Sequence, residues 1–324
     1  MSSKLIVVFG ATGMQGSSVV SIFLSEPGWR VRGVTRNPDS AASKALAARG
    51  VEVVKADVDD PASLGPVVEG ANAVFSVTDF WGPLRDPANQ SKVKPGQTIN
   101  EWGYYNELRQ AKNIIDAVAK VESLDRFVWS GLSAVKKWSK GKYTWAYHFD
   151  SKAAATEYIK ETYPKLWKAT SVIQVGGYLS NHQKFPGFTP QKTNDGIYEV
   201  HVPYGCSKKF PYIASDVDTG KFVRALILEV SAGKNLIAYR EQLSVEDFIS
   251  IWSRVHDVPY RYIEIPFEEF AKMGNDAREL AETSAYIAEF GYEGREDPTL
   301  TYPEDVGYSI VCESGMFLLT SCLR

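Results

Sequence analysis

Residues 10–16 read G-A-T-G-M-Q-G. The glycines Gly10, Gly13 and Gly16 follow a continuous apolar run, Leu5–Phe9, and open a segment whose apolar residues Val19, Val20, Phe23 and Leu24 fall at helical spacing. Strand, glycine turn and helix in that order form a cradle for a dinucleotide pyrophosphate. The first glycine permits the tight turn, the second lets backbone approach the pyrophosphate, and the third lets helix and strand pack closely. The N–H groups that open the helix then meet phosphate oxygens. Arg36 stands twenty residues past Gly16. A ribose 2′-hydroxyl is usually read near that place by Asp or Glu. A guanidinium instead suits a 2′-phosphate, by charge and by its bidentate fork. The pattern therefore predicts NADP(H) over NAD(H). Asp57, just after the third apolar run, is placed either to reach adenine or to cap a helix that opens at Pro61.

A second constellation is His148 and Lys152, four residues apart. On a helix they share one face, while Tyr147 points about 100° away. Ser130 and Ser133, in the run SGLS, follow the fifth apolar run. They suit either a substrate contact or a plain strand-end turn. His182, His201 and His256 show no ligand spacing, and no His/Cys cluster suggests a metal.

The elements that position these residues alternate. Apolar runs Leu5–Phe9, Val31–Thr35, Val51–Val54, Ala73–Val77, Phe127–Trp129 and Ser171–Val175 read as strands. Between them, Met14–Leu24, Ala41–Arg49 and the segment from Pro61 to Gly70 read as helices, with Gly50 at a helix C-cap. This spacing implies a parallel sheet with right-handed crossovers, a Rossmann-type doubly wound α/β fold. Two long connections, Thr78 to about Asn100 and Ser133 to Trp145, leave the C-terminal edge of the sheet, where open α/β sheets bind ligands. After Val175 the rhythm changes. A strand Gly196–Val202, a helix Val217–Val230, a helix Leu243–Val255, a strand Tyr260–Ile265 and a helix Phe267–Tyr286 predict a smaller α+β part. The expected domains are 1–176 for the dinucleotide, with some later segments returning to it, and 177–324 for substrate or partner.

Composition narrows the classes. The chain has 324 residues, 44% hydrophobic and 23% charged, which suits a globular protein and argues against disorder. Its net charge of −3 lacks the basic excess of a nucleic-acid binder. The basic run from Lys136 to Lys142 reads as a solvated loop over the site. Three cysteines, Cys206, Cys312 and Cys322, exclude a disulfide framework and suit a reducing compartment. No apolar run is long enough for a membrane span, and no leader pattern opens the chain. A cytoplasmic protein is expected, with nuclear shuttling if it regulates transcription.

The loop GATGMQG, with VTRNP at 34–38, ADVDDP at 56–61 and HFDSKAAATEYI at 148–159, resembles the NmrA-like proteins, an atypical branch of the short-chain dehydrogenase/reductases. The resemblance runs from Leu5 to about Pro303. It implies a Rossmann domain that binds NADP(H) and a smaller C-terminal domain. By motif, the implied dinucleotide contacts are Gly10, Ala11, Thr12, Gly13, Met14 and Gln15 with Gly16, then Arg36, Asn37, Pro38, Asp39 and Ser40. They continue with Asp57 and Val58, Thr78, Asp79 and Phe80, Lys152, and Tyr178, Leu179, Ser180 and Asn181. A cofactor-binding Lys of the family falls on Arg109, across a polar stretch at 81–100 that looks inserted. Reductases of the superfamily commonly place a proton-donating Tyr four residues before the Lys; here that position is His148. Lys152, His148 and Tyr178 are the catalytic candidates. The resemblance admits two functions. One is a reductase of a carbonyl, imine or activated alkene in a small apolar or aromatic metabolite. The other is a non-catalytic NADPH/NADP sensor that acts on a protein partner such as a transcription factor. After Pro303 the tail is apolar and departs from the family's polar ending.

Overall fold

The computed structural model describes residues 3–183 and 189–307. Strand β1 (Lys4–Phe9) leads through the glycine turn into α1 (Met14–Leu24), followed by β2 (Trp29–Thr35), α2 (Ala41–Ala48), β3 (Glu52–Lys55), α3 (Leu64–Val68) and β4 (Ala73–Ser76). Then come α4 (Trp81–Arg85), α5 (Ile99–Val118), β5 (Arg126–Gly131), α6 (Val135–Trp138), α7 (Tyr147–Thr162), α8 (Pro164–Trp167) and β6 (Thr170–Val175). The second half holds β7 (Gly177–Tyr178), β8 (Gln191–Lys192), β9 (Tyr198–Pro203), β10 (Phe210–Ile213), α9 (Ser215–Leu228), β11 (Asn235–Ala238) and β12 (Glu241–Leu243). It ends with α10 (Val245–His256), β13 (Tyr260–Ile265), α11 (Phe267–Ala271), α12 (Asn275–Phe290) and β14 (Leu300–Thr301).

The main sheet has the order β14-β11-β6-β5-β4-β1-β2-β3, all pairs parallel. Its strands are apolar on both faces because helices cover both. Ile6 and Val8 of β1 pack with Val19 and Phe23 of α1 and Phe222 and Leu226 of α9. Leu5, Val7 and Phe9 turn the other way, toward Val68 of α3, Ile114 and Ile115 of α5 and Ile159 of α7. Strand order reverses between β2 and β4, on either side of β1, which places the ligand crevice of a doubly wound sheet beside the glycine turn. This is the expected Rossmann-type layer. The second half adds two three-stranded sheets, β12-β10-β7 and β13-β9-β8, with their own core around Phe248, Ile249 and Trp252. The chain does not cross once between the layers: α9, β11 and β14 all come back to the first.

Several local expectations change. The stretch 78–100 is not a bare loop; it folds as α4 and a 3-10 turn at Pro87–Lys92, each begun by an Asp side chain. The segment Phe267–Tyr286 is not one helix. It breaks at Gly274, whose φ of 141° no L-side chain adopts easily, and α12 then runs on to Phe290. Strands β10, β11, β12 and β14 were not expected; each has four residues or fewer, too short to show a period. No helix among the described residues is long and apolar enough to cross a membrane. Cys312, Cys322 and the tail from residue 308 lie outside the described residues.

Helices α1 and α9 approach so closely that Gly220 N–H donates to Ser18 Oγ at 2.9 Å. A Cβ on Gly220 would lie 2.3 Å from the Ser18 carbonyl oxygen. Gly220→Ala is therefore expected to cost about 1–3 kcal/mol in urea unfolding. Gly65→Ala, with nothing near its added Cβ, is the control and should be neutral or slightly stabilising. Equal midpoints for the two variants would contradict the close packing.

Candidate active site

The turn after β1 is built for close approach. Gly10 has φ of 70°, and a Cβ there would sit 2.8 Å from Val77 Cγ1. Gly16 meets the Gly10 carbonyl so closely that a Cβ would fall 2.1 Å from its oxygen. Gly13 is the N-cap of α1 and brings no side chain to it, so the first-turn N–H groups open outward beside the crevice. Helix dipole and N–H groups together suit a diphosphate. The residues fit a dinucleotide on these observations alone.

Beyond β4, β5 and β6 lies a cavity of about 320 Å³. Gln15, Thr78, Ser130, His148, Lys152 and Tyr178 are among its polar lining residues, and Phe149, Phe210, Phe248, Ile249, Leu280 and Tyr292 are among the apolar ones. Three polar clusters shape it. In the first, the buried Glu107 carboxylate of α5 accepts from Lys152 Nζ, from Ser151 Oγ and, at 2.8 Å, from Thr78 Oγ1. One carboxylate thus joins α5, α7 and the end of β4. In the second, His148 Nδ1 lies 2.6 Å from Oε1 of Glu279, a wholly buried residue of α12. The imidazole packs against the rings of Phe80 and Trp81. In the third, Ser130 Oγ donates to Gln15 Oε1 at 2.8 Å, and Gln15 Nε2 donates to Tyr178 Oη at 2.7 Å. Burial raises the Tyr178 hydroxyl above its ordinary pKa, against the lowering effect of hydrogen bonds with Gln15 and Ser215.

Nine of the expected residues line the cavity: Gln15, Thr78, Asp79, Phe80, His148, Lys152, Tyr178, Leu179 and Asn181. Thr78, Asp79 and Phe80 leave β4 along the cavity wall, and Tyr178, Leu179 and Asn181 follow β6 on the far side. Ser180 is on the same 3-10 turn but does not line the cavity. Arg36 is exposed at the end of β2. Beside it, the Asn37 side chain accepts from Asp39 N–H, Pro38 is half-buried, and Ser40 caps α2. Ala11 points its methyl into the core, Thr12 is exposed and Met14 half-buried at the helix opening. Asp57 turns the chain by accepting from Asp59 N–H, and Val58 offers its carbonyl to Asn113. The cap before Pro61 is Asp60, not Asp57. Arg109 does not reach the cavity. It pairs with Asp59 at 2.5 Å on the surface, and the α5 residue that turns inward is Glu107. Ser133 is structural, bonded to Tyr286 and to the Tyr292 carbonyl. Tyr147 packs outside, against Tyr104 and Trp145.

Glu107 and Glu279 were missed by motif reading, yet both carry a signal. Glu107 is in step with the buried stripe Ala111, Ile114 and Val118, and Glu279 with Thr283 and Tyr286. A carboxylate on a buried stripe needs an inward partner. Among the described residues no group of His, Cys, Asp and Glu could hold a metal.

The sequence model of the NmrA-like family matches residues 2–309. An NmrA-like family domain-containing oxidoreductase from Aspergillus campestris is 26% identical over 273 residues, 81% of this chain and 76% of that one. Another from Aspergillus flavus is 27% identical over 84% of this chain and 79% of its own. Against relatives of the same description from Penicillium ochrochloron and a Cladobotryum species, the match spans 65% and 64% of their lengths, less than two thirds. Among solved structures, the negative transcriptional regulator NmrA in complex with NADP aligns with a TM-score of 0.68 at 18% identity, over 100% of this chain and 91% of that one. An NADPH-dependent quinone oxidoreductase from Escherichia coli, complexed with NADPH, aligns at 0.69 and 16%, over 98% and 99%. At such identities these likenesses show the fold.

Two outcomes test the clusters. Glu107→Gln leaves Lys152 without its counter-charge, and a broken buried pair costs about 3–5 kcal/mol; urea unfolding should show a loss of that order. Asp150, whose carboxylate accepts from Lys136 N–H and from the Val135 backbone, is pushed up to about 6 by burial. Its folded pKa exceeds the unfolded one, so its charging costs stability as pH rises from about 4 to about 6. Asp150→Asn should flatten the fall in unfolding free energy between pH 4.5 and 7.5 by up to about 3 kcal/mol. An identical slope in the variant would refute the buried carboxylate.

Proposed function

The chain belongs to the NmrA-like family, and from that premise we propose that it is an NADP(H)-dependent oxidoreductase. Its substrate is an uncharged, apolar or aromatic small molecule bearing a carbonyl, imine or activated alkene. The observation that carries this reading is that Gln15 of the glycine loop, Lys152 and His148 line one cavity together with apolar side chains such as Phe149, Phe248 and Ile249. Relatives described as oxidoreductases support the same reading. NmrA itself is a regulator solved with NAD as well as NADP, so the choice of NADP(H) here rests on Arg36.

A nicotinamide dinucleotide, when bound, would supply hydride chemistry. The chain's own residues do the rest. The α1 N-terminus and Gly10–Gly13 would hold its pyrophosphate, and Arg36 with the capped start of α2 would hold a 2′-phosphate. Lys152, fixed by Glu107, offers its remaining N–H groups to ribose hydroxyls. The phenol of Tyr178, raised in pKa and bonded to Gln15, is a poor acid near neutrality. His148 has the right type of group for donating a proton near neutral pH, and it lines the cavity. Apolar walls exclude water and favour a flat, neutral substrate.

The test is NADPH oxidation with 4-nitrobenzaldehyde and 1,4-naphthoquinone, in wild type and Lys152→Ala. Turnover by wild type, reduced about 100-fold or more in the variant, is expected. Tight NADPH binding with no turnover of any neutral carbonyl, imine or enone would instead support the sensor reading and a protein partner. Arg36→Ala should weaken NADPH binding tenfold or more, about 1.4 kcal/mol, and leave NADH binding nearly unchanged. Equal losses would show that Arg36 does not read the 2′-phosphate.

A further inference from the structure

Glu279 stands in the second half of the chain, outside every dinucleotide motif, and it is wholly buried. Its Oε1 accepts from the His148 backbone N–H at 2.8 Å and lies 2.6 Å from His148 Nδ1. Its Oε2 accepts from Asn100 Nδ2 at 2.6 Å. A carboxylate that meets three donors acts as acceptor only, so the hydrogen between it and the imidazole belongs to Nδ1. The ring's other nitrogen, Nε2, is then the one available to the cavity that His148 lines. Phe80 and Trp81, with ring centroids at 5.8 and 5.1 Å, confine the imidazole on the α4 side. The charged groups around it are Glu279 from α12 and Asp150 and Lys152 from α7.

We propose that Glu279 is a positioning residue for the reaction: it fixes His148 with Nδ1 protonated and Nε2 directed at the substrate atom that gains the proton. This rests on the reductase reading above. As hydride adds to the substrate carbon, the π electrons of the C=O bond move to oxygen. That oxygen takes the proton from Nε2 of the imidazolium, the Nε2–H bond breaks, and neutral Nδ1–H imidazole remains. Glu279 stays a carboxylate throughout, and solvent restores the Nε2 proton after product leaves. The arrangement makes a carboxylate–imidazole pair serve where relatives of the superfamily place a tyrosine. Because Glu279 lies on α12, the second layer completes the machinery of the first.

The test uses the full chain labelled with 15N-histidine, His148→Asn identifying the resonance among the four histidines. Wild type should show His148 in the Nδ1–H form when neutral. Glu279→Ala should shift it toward the Nε2–H form usual for free imidazole, and Glu279→Asp should restore part of the Nδ1–H population. With 4-nitrobenzaldehyde, Glu279→Ala should lower kcat about 100-fold with KM and NADPH affinity within about twofold, and Glu279→Asp should regain about tenfold. The double variant His148→Asn/Glu279→Ala should be no slower than His148→Asn alone, since Glu279 acts through the imidazole. If Glu279→Ala does not fold, Glu279→Gln takes its place, judged by the same double-variant comparison. An unchanged tautomer, or losses that multiply in the double variant, would overturn the proposal. A wild type that binds NADPH and turns over neither probe overturns the reductase reading, and the tautomer measurement then decides the positioning claim by itself.

Discussion

A lysine inside a mostly apolar cavity is stable only beside a compensating carboxylate, and Glu107 is that carboxylate. Removing two charges from water costs several kcal/mol each, recovered only through good geometry and further hydrogen bonds. Here the geometry is supplied by three elements at once. Lys152 and Ser151 come from α7, Thr78 from the end of β4, and Glu107 from α5. None of these can shift without leaving a buried polar group unmatched. The pair therefore sets where α7 lies relative to the sheet edge, and with it where His148, one turn earlier, enters the cavity.

The other end of that arrangement is held by α12. Its carboxylates reach the loop before α7 in sequence: Glu289 meets Lys142 and Tyr143, Glu282 accepts from Thr144 and Trp145 N–H, and Glu279 accepts from His148 N–H. Arg278 lies 3.8 Å from the centroid of Trp145 and adds a cation–π contact on the same face. Backbone N–H groups of a helix N-terminus and its approach need acceptors, and here they come from another helix rather than from a local cap. The consequence reaches function. The segment that carries Lys152 and His148 is shaped by α12 of the second half.

The dinucleotide half was legible because its chemistry is local. A glycine turn between strand and helix declares itself in seven residues, and β1 to β6 are long enough or apolar enough to show on both faces. The inward turn of Glu107 was legible only from the buried stripe of α5, while Arg109, two residues on, pairs with Asp59 at the surface. The Glu279–His148 contact joins residues 131 apart in sequence. No local pattern contains it, since it exists only once α12 has packed onto α7. The short strands β10, β11, β12 and β14 were illegible for the same reason: their pairing is decided by distant partners, not by their own few residues.

The fate of Tyr178 shows how such distant contacts decide chemistry. By position, near the end of β6 and lining the cavity, it is a reasonable substitute for the missing superfamily tyrosine. Its hydroxyl accepts from Gln15, whose own amide oxygen is engaged by Ser130, so a chain of hydrogen bonds ties the phenol to the glycine loop. Burial further raises its pKa. The lysine that would lower a phenol's pKa is instead held by Glu107. The imidazole of His148, by contrast, has its orientation fixed by Glu279 at 2.6 Å. By its hydrogen bonds the cavity holds an imidazole paired with a buried carboxylate, His148 with Glu279. That pair ties α7 to α12 and so joins the two layers across the cavity.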